Sequence, residues 1–208
     1  HPVRPSDPFP KEGAPGGIPL ELVPDAVLGD LDALEVACLW SDETGTSEVW
    51  YRLLNLGLPI APTAGTDAMP NFFRMMAVGT TRVYVRTEGP LTFERYLDGL
   101  RAGRSFVTNG PLPRFTVGGV GPGEALVRPG GGAAPVPFAR TVSSALPFER
   151  LEVVVNGRVA WSAAGLAEPG TRTWTGTVDV PAGGWIAARA VGGPTRWPAM
   201  DSYPFAHT

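Results

Sequence analysis

The apolar pattern of this chain changes its period near Phe106, and that change restricts it to two kinds of packing. Upstream, strand-like and helix-like segments alternate. Residues 32–39 form a short apolar strand, residues 46–56 carry helical spacing closed by Gly57, and residues 59–64 make a second strand. Residues 71–76 have the composition of one or two helical turns, residues 81–86 alternate as a strand does, and residues 92–101 are an amphipathic helix begun at Thr92 and stopped by Gly103. Downstream, strands are divided by Gly and Pro with no helical pattern. Residues 150–155 and 158–161 flank Asn156-Gly157, the strongest short hairpin signal, because both turn positions tolerate positive φ. Residues 171–180 and 185–190 continue the strands, and residues 121–135 read as a loop. The expected fold class is α/β plus all-β: residues 1–105 in β/α grammar, residues 106–208 as an antiparallel β-sandwich.

Composition agrees with many turns: 27 Gly and 23 Pro in 208 residues exceed what a helical domain carries, while 43% hydrophobic content is enough to bury a core. Formal net charge is -3 without a dense basic run, which argues against nucleic acid as a partner. No apolar run is long enough to span a membrane as a helix. Cys38 stands alone, so no disulfide can form within the chain, and its apolar neighbours mark it as a small buried hydrophobe. The opening His1-Pro2 reads as the start of a piece of a longer protein.

Asp67 is the leading candidate for chemistry. The run Pro59-Ile60-Ala61-Pro62-Thr63-Ala64 breaks at Gly65 and presents the Asp67 carboxylate just beyond a strand end, where α/β folds gather ligands and metals. The alternative is a helix N-cap, a common use of Asp after Gly-Thr. Asp42 and Glu43 read as a solvated turn that caps the following helix. Glu35 on the first strand, Arg74 in the segment after Asp67, Asn109 in the Thr108-Asn109-Gly110-Pro111 junction, and His207 near the carboxyl end are candidates to support or line a pocket. The six tryptophans are scattered between the halves, as core packing requires.

Several spaced phrases carry a family resemblance. Pro24-Asp25-Ala26-Val27-Leu28-Gly29, Leu34-Glu35-Val36, Trp50-Tyr51-Arg52-Leu53-Leu54-Asn55, Ala64-Gly65-Thr66-Asp67-Ala68-Met69, Arg82-Val83-Tyr84-Val85, Ala102-Gly103-Arg104-Ser105-Phe106-Val107-Thr108-Asn109-Gly110-Pro111 and Leu151-Glu152-Val153-Val154-Val155-Asn156-Gly157-Arg158 resemble the carbaryl-hydrolase-like (CehA/McbA-type) metallohydrolases of the PHP superfamily. The resemblance implies the last part of a distorted β/α barrel over residues 1–105, followed by a β-sandwich over residues 106–208. It implies divalent metal ions (Zn, Mn or Fe), held by an incomplete ligand set in this chain, and the upstream part of the same barrel as partner. His1 is similar to the His of a family Ala-His-Pro phrase, and Asp67 to the Asp of the closing Asp-x-His motif; both are metal ligands there, and Asp67 is also the implied catalytic residue. Met69 stands where that motif has His, and a thioether is a poor ligand for a hydrolytic metal. The implied chemistry is attack of metal-activated water on a small-molecule ester, carbamate or phosphoester. The rival expectation is a non-catalytic module that binds carbohydrate or a partner protein on a degenerate barrel.

Overall fold

The computed structural model describes residues 22–38, 42–69, 71, 77–128, 130, 132–197, 199 and 202–208. Its amino-terminal part is a β–α–β unit. Strand β1 (Ala33–Ala37) and strand β2 (Ala61–Ala64) pair in parallel, with α2 (Glu43–Asn55) as the crossover, and α1 (Leu22–Leu28) precedes them. On β1 the alternation buries Leu34 and Val36 against Val49, Trp50 and Leu53 of α2, and turns Glu35 to the other face. Asp42, in extended conformation, starts α2 by accepting from the Gly45 amide at 3.0 Å, and Gly57 ends it at a φ of 80°.

A six-stranded antiparallel sheet forms the middle layer, in the order β3 (Arg82–Val85), β4 (Ser105–Thr108), β11 (Phe205–His207), β10 (Ile186–Val191), β7 (Phe148–Val155), β8 (Arg158–Leu166). One face offers Val107, Val154, Val191 and Phe205 to α2 and β1. The other offers Leu151, Val153, Ala188, Ala190 and Ala206 to a three-stranded sheet of β5 (Leu112–Val117), β6 (Ala134–Ser144) and β9 (Gly170–Val180). The two sheets make the expected antiparallel sandwich, and the larger one takes strands from both sides of residue 105. Helix α3 (Phe93–Arg101) links β3 to β4, and its N-cap Thr92 accepts from the Arg95 amide at 3.3 Å.

The Asn156-Gly157 turn adopts positive φ at both positions, 48° and 83°, and registers Val155 against Arg158. It also docks the sandwich on α2. Asn55 donates to the Asn156 carbonyl at 3.3 Å and accepts from the Trp185 indole at 2.7 Å.

Some expectations are corrected. Helix α2 begins three residues earlier than the apolar spacing indicates, because the Asp42 cap sets its start. Glu43 is 2% exposed and not part of a solvated turn. Residues 134 and 135 belong to β6 and not to a loop; Pro135 and Pro137 fit there because β5 pairs with β6 only from Phe138 onward, so no ladder donor is required of them on that side. Helix α1, strands β5 and β6, and the carboxyl-terminal strand β11 have no counterpart in the sequence reading. Residues 72–76 of the expected helical turn lie outside the described residues.

Candidate functional site

The carboxyl-terminal edge of the β1–β2 pair gathers Glu35, Cys38 and Asp67. Parallel pairing aligns Glu35 with Thr63, and a bulge then sets Ala37 against Ala64. The Glu35 carboxylate lies over Gly65, where a Cβ would approach its Oε1 to 3.0 Å, so glycine leaves room for the side chain. Cys38, 3% exposed, follows β1 by one residue and shares a hydrogen bond with Glu35. Burial first, then the Glu35 charge and hydrogen bond and the Asp67 charge, push its thiol up to about 12. It is a protonated thiol at neutral pH, unsuited to act as a thiolate ligand or nucleophile.

Asp67 is exposed and left-handed, with a φ of 50°. An N-cap residue is extended, so this backbone rules out the cap reading. The turn is anchored by its neighbour: Thr66, 8% exposed, donates through its hydroxyl to the Thr81 carbonyl at 3.0 Å and accepts from the Gly79 amide at 2.9 Å. The anchored loop thus carries the Asp67 carboxylate at the strand end. Asp is among the few residues that tolerate this conformation, which costs about 1 kcal/mol and concentrates at functional loops. Met69 is 38% exposed in the same loop. Among the described residues no three His, Cys, Asp or Glu side chains are grouped to hold a metal ion. The described donors therefore do not by themselves fit a complete metal centre, and His1 and Arg74 lie outside the described residues.

His207 is elsewhere. It is fully buried on β11, edge-on to Trp50 at 5.1 Å between ring centroids, and Trp50 in turn donates to the Ile60 carbonyl at 2.8 Å. That contact places it beside the start of β2, whereas Asp67 follows the end. Its Nδ1 pairs with the Thr208 carbonyl at 2.9 Å; a carbonyl only accepts, so Nδ1 carries the proton and Nε2 accepts from the Tyr51 hydroxyl. Arg189 donates to the same hydroxyl at 3.4 Å and to Glu152 at 2.5 Å. Burial above all, with the Arg189 and Arg140 charges, holds His207 down at about 3, and burial pushes Tyr51 up to about 12. The cluster is a neutral, directional chain of hydrogen bonds that locks α2 to the sheet.

Asn109 performs a second junction. Its Oδ1 accepts from the Phe205 amide at 2.7 Å, and its Nδ2 donates to the Tyr203 carbonyl at 2.9 Å and to Ser202 at 3.2 Å. The Ser202 hydroxyl donates to Glu43 at 2.7 Å, and Tyr203 shares a 2.6 Å hydrogen bond with Thr44. These contacts tie β4, the segment before β11 and the first turn of α2 together.

A cavity of about 800 Å³ opens at the amino-terminal end of β2, lined by Trp50, Ile60, Phe115, Val117, Trp185 and Ile186 among others. Its arginines are committed: Arg101 to Asp32 at 3.0 and 3.2 Å, Arg128 to the Ala134 and Val180 carbonyls at 3.1 and 2.8 Å. Neither Glu35 nor Asp67 reaches it.

Comparison with protein-family models, curated proteins and solved structures finds no match.

The reading of the residues missed Cys38 as a neighbour of Glu35 and Asp67, and missed Glu43 as a buried carboxylate. The first had a partial signal: Cys38 stands near the end of the strand that the sequence marks at residues 32–39, and Asp67 just past the end of the next. The second had none, since the serine that engages Glu43 is 159 positions away.

Proposed function

We propose that this chain is the carboxyl-terminal part of a PHP-type metal-dependent hydrolase acting on ester, carbamate or phosphoester bonds, with Asp67 as the acidic group it contributes. One observation carries the reading: a parallel β–α–β unit brings Glu35, Cys38 and Asp67 to its carboxyl-terminal edge, with Asp67 on a left-handed, anchored loop. That is the edge at which β/α barrels hold their chemistry. The sequence phrases around Asp67 support it, and His1 would be a second ligand. A divalent ion would supply Lewis acidity and a hydroxide at neutral pH. Glu35 accepts from the thiol beside it, and Asp67 offers an exposed carboxylate. The remaining ligands would come from upstream barrel sequence, so the isolated chain is expected to turn over no substrate.

The test is a version of the protein extended upstream by its barrel sequence, analysed for bound metal and assayed with p-nitrophenyl acetate and bis-p-nitrophenyl phosphate. Bound Zn, Mn or Fe with hydrolysis, and loss of both in Asp67→Ala, is the expected outcome. An extended protein that binds no divalent metal refutes the proposal; retention of that metal-free protein on a polysaccharide column would put a carbohydrate-binding module in its place.

A further inference from the structure

The sandwich interior holds a cation with no ion-pair partner among the described residues. Arg140 is the central inward residue of β6, between Phe138 and Val142, and is fully buried. Its register partners on either side are Phe115 and Trp174, themselves 6% and 7% exposed. The guanidinium makes one hydrogen bond, from Nη1 to the Glu152 carbonyl on the facing sheet at 3.2 Å. Nε and Nη2 have no acceptor among the described residues, and neither does the buried indole Nε1 of Trp174 in the same row.

The Glu152 carboxylate makes no hydrogen bond or ion pair with Arg140, although its charge favours the cation from a distance. It lies on the helix-facing side of β7 and is taken by Arg189 at 2.5 Å and Arg150 at 3.1 Å, while Glu149 approaches Arg150 at 3.9 Å. Those two carboxylates and two guanidiniums balance, and among the described residues no carboxylate lies within ion-pair distance of Arg140. Around it the walls are apolar: Val142, Phe148, Leu151, Ala190 and Ala206 form one continuous cluster with Trp174. Burial lowers Arg140 to about 9, so the group is still charged at neutral pH. An unpaired buried charge of this kind costs several kcal/mol, and the fold needs something to offset it.

We propose that the sandwich core contains a structural site for a small monovalent anion, chloride, bound between the Arg140 guanidinium and the Trp174 indole. The donor set decides the ligand class. Three buried nitrogens, Nε and Nη2 of Arg140 and Nε1 of its cross-strand neighbour Trp174, are donors without an acceptor among the described residues. A water could accept from them, but its two hydrogens would face hydrocarbon and the charge would stay unpaired; a halide accepts all three and carries the opposite charge. The site is independent of Asp67 and of the hydrolase reading, since it lies between the sandwich sheets.

Thermal unfolding of the whole chain at constant ionic strength tests it, with chloride exchanged for gluconate, which is too large to enter. Wild type should melt about 2–4 °C higher in chloride, with a saturable dependence. Arg140→Met, which removes the charge but keeps the length, should fold and lose the chloride dependence, because replacing a buried charge by an apolar side chain of similar volume is often neutral or stabilising. Should that variant fail to fold, wild-type crystals grown in bromide give the decisive reading: an anomalous peak beside the Arg140 guanidinium supports the site. Equal melting in chloride and gluconate, or no bromide peak there, overturns it.

Discussion

Acid should weaken this fold through His207, in a way that one substitution can isolate. The imidazole is fully buried and held at about 3, against an ordinary value of 6.5, because burial disfavours the cation. The sign follows from proton counting. Below 6.5 the unfolded chain binds a proton that the folded chain refuses, so the stabilisation is complete above 6.5 and is lost as pH falls from 6.5 towards 3. The limiting slope is about 1.4 kcal/mol per pH unit, and between about pH 7.5 and pH 4.5 the loss comes to about 2.7 kcal/mol. The hydrogen-bond chain explains why the protein does not relax to accept the proton. A second hydrogen on Nε2 would meet the Tyr51 hydroxyl hydrogen, and reversing that hydroxyl would turn its hydrogen towards Arg189. The assay is urea unfolding across this pH range for wild type and His207→Gln, which keeps an acceptor for Tyr51. The variant should be less stable at pH 7.5, by about 1–3 kcal/mol, and its pH slope should be shallower by about 1.4 kcal/mol per unit. Asp32 and Glu124, whose pKa values are lowered by Arg101 and by the Gly121 amide with Arg86, contribute acid sensitivity equally to both proteins. Parallel pH profiles for the two would refute the reasoning, since they would mean that His207 titrates normally in the fold.

Two further outcomes are expected. Asn109→Ala removes the bonds to Phe205, Tyr203 and Ser202 and leaves the buried Phe205 amide without its side-chain acceptor, which should cost about 2–4 kcal/mol in chemical denaturation; a loss below about 0.5 kcal/mol would show that β11 is held by its ladder alone. The buried Cys38 thiol, pushed up to about 12, should react with iodoacetamide at pH 8 at least about a hundredfold more slowly than a free cysteine, and labelling at the free rate would contradict its burial beside Glu35.

Much of the local architecture is legible in the sequence because it rests on interactions within a few residues. Asn156-Gly157 announces its hairpin through the two residues that accept positive φ, and Thr92 and Gly57 mark helix ends through a side-chain oxygen and a missing Cβ. The strand before Asp67 is legible for the same reason. Strand β11 is not, since Phe205-Ala206-His207 is three residues with no alternation to read, and it is a strand only because β10 and β4 flank it. His207 likewise has no spacing that places it; Tyr51, its partner, is 156 positions away.

By itself the sequence determined where α2 ends and α3 begins, where the Asn156-Gly157 hairpin reverses, and that a carboxylate follows the second strand. The tertiary structure decided which residues lie at the carboxylate's edge and which do not: it brought Glu35 and Cys38 to the Asp67 side, and took His207 and Asn109 into the seams that bind α2 to the sheet. It also turned Arg140 inward, where strand alternation alone would have called for a hydrophobe. The division has one physical cause. Caps and turns are settled by bonds within a few residues, whereas burial, charge balance and the donor that meets a given acceptor depend on segments brought together from distant parts of the chain.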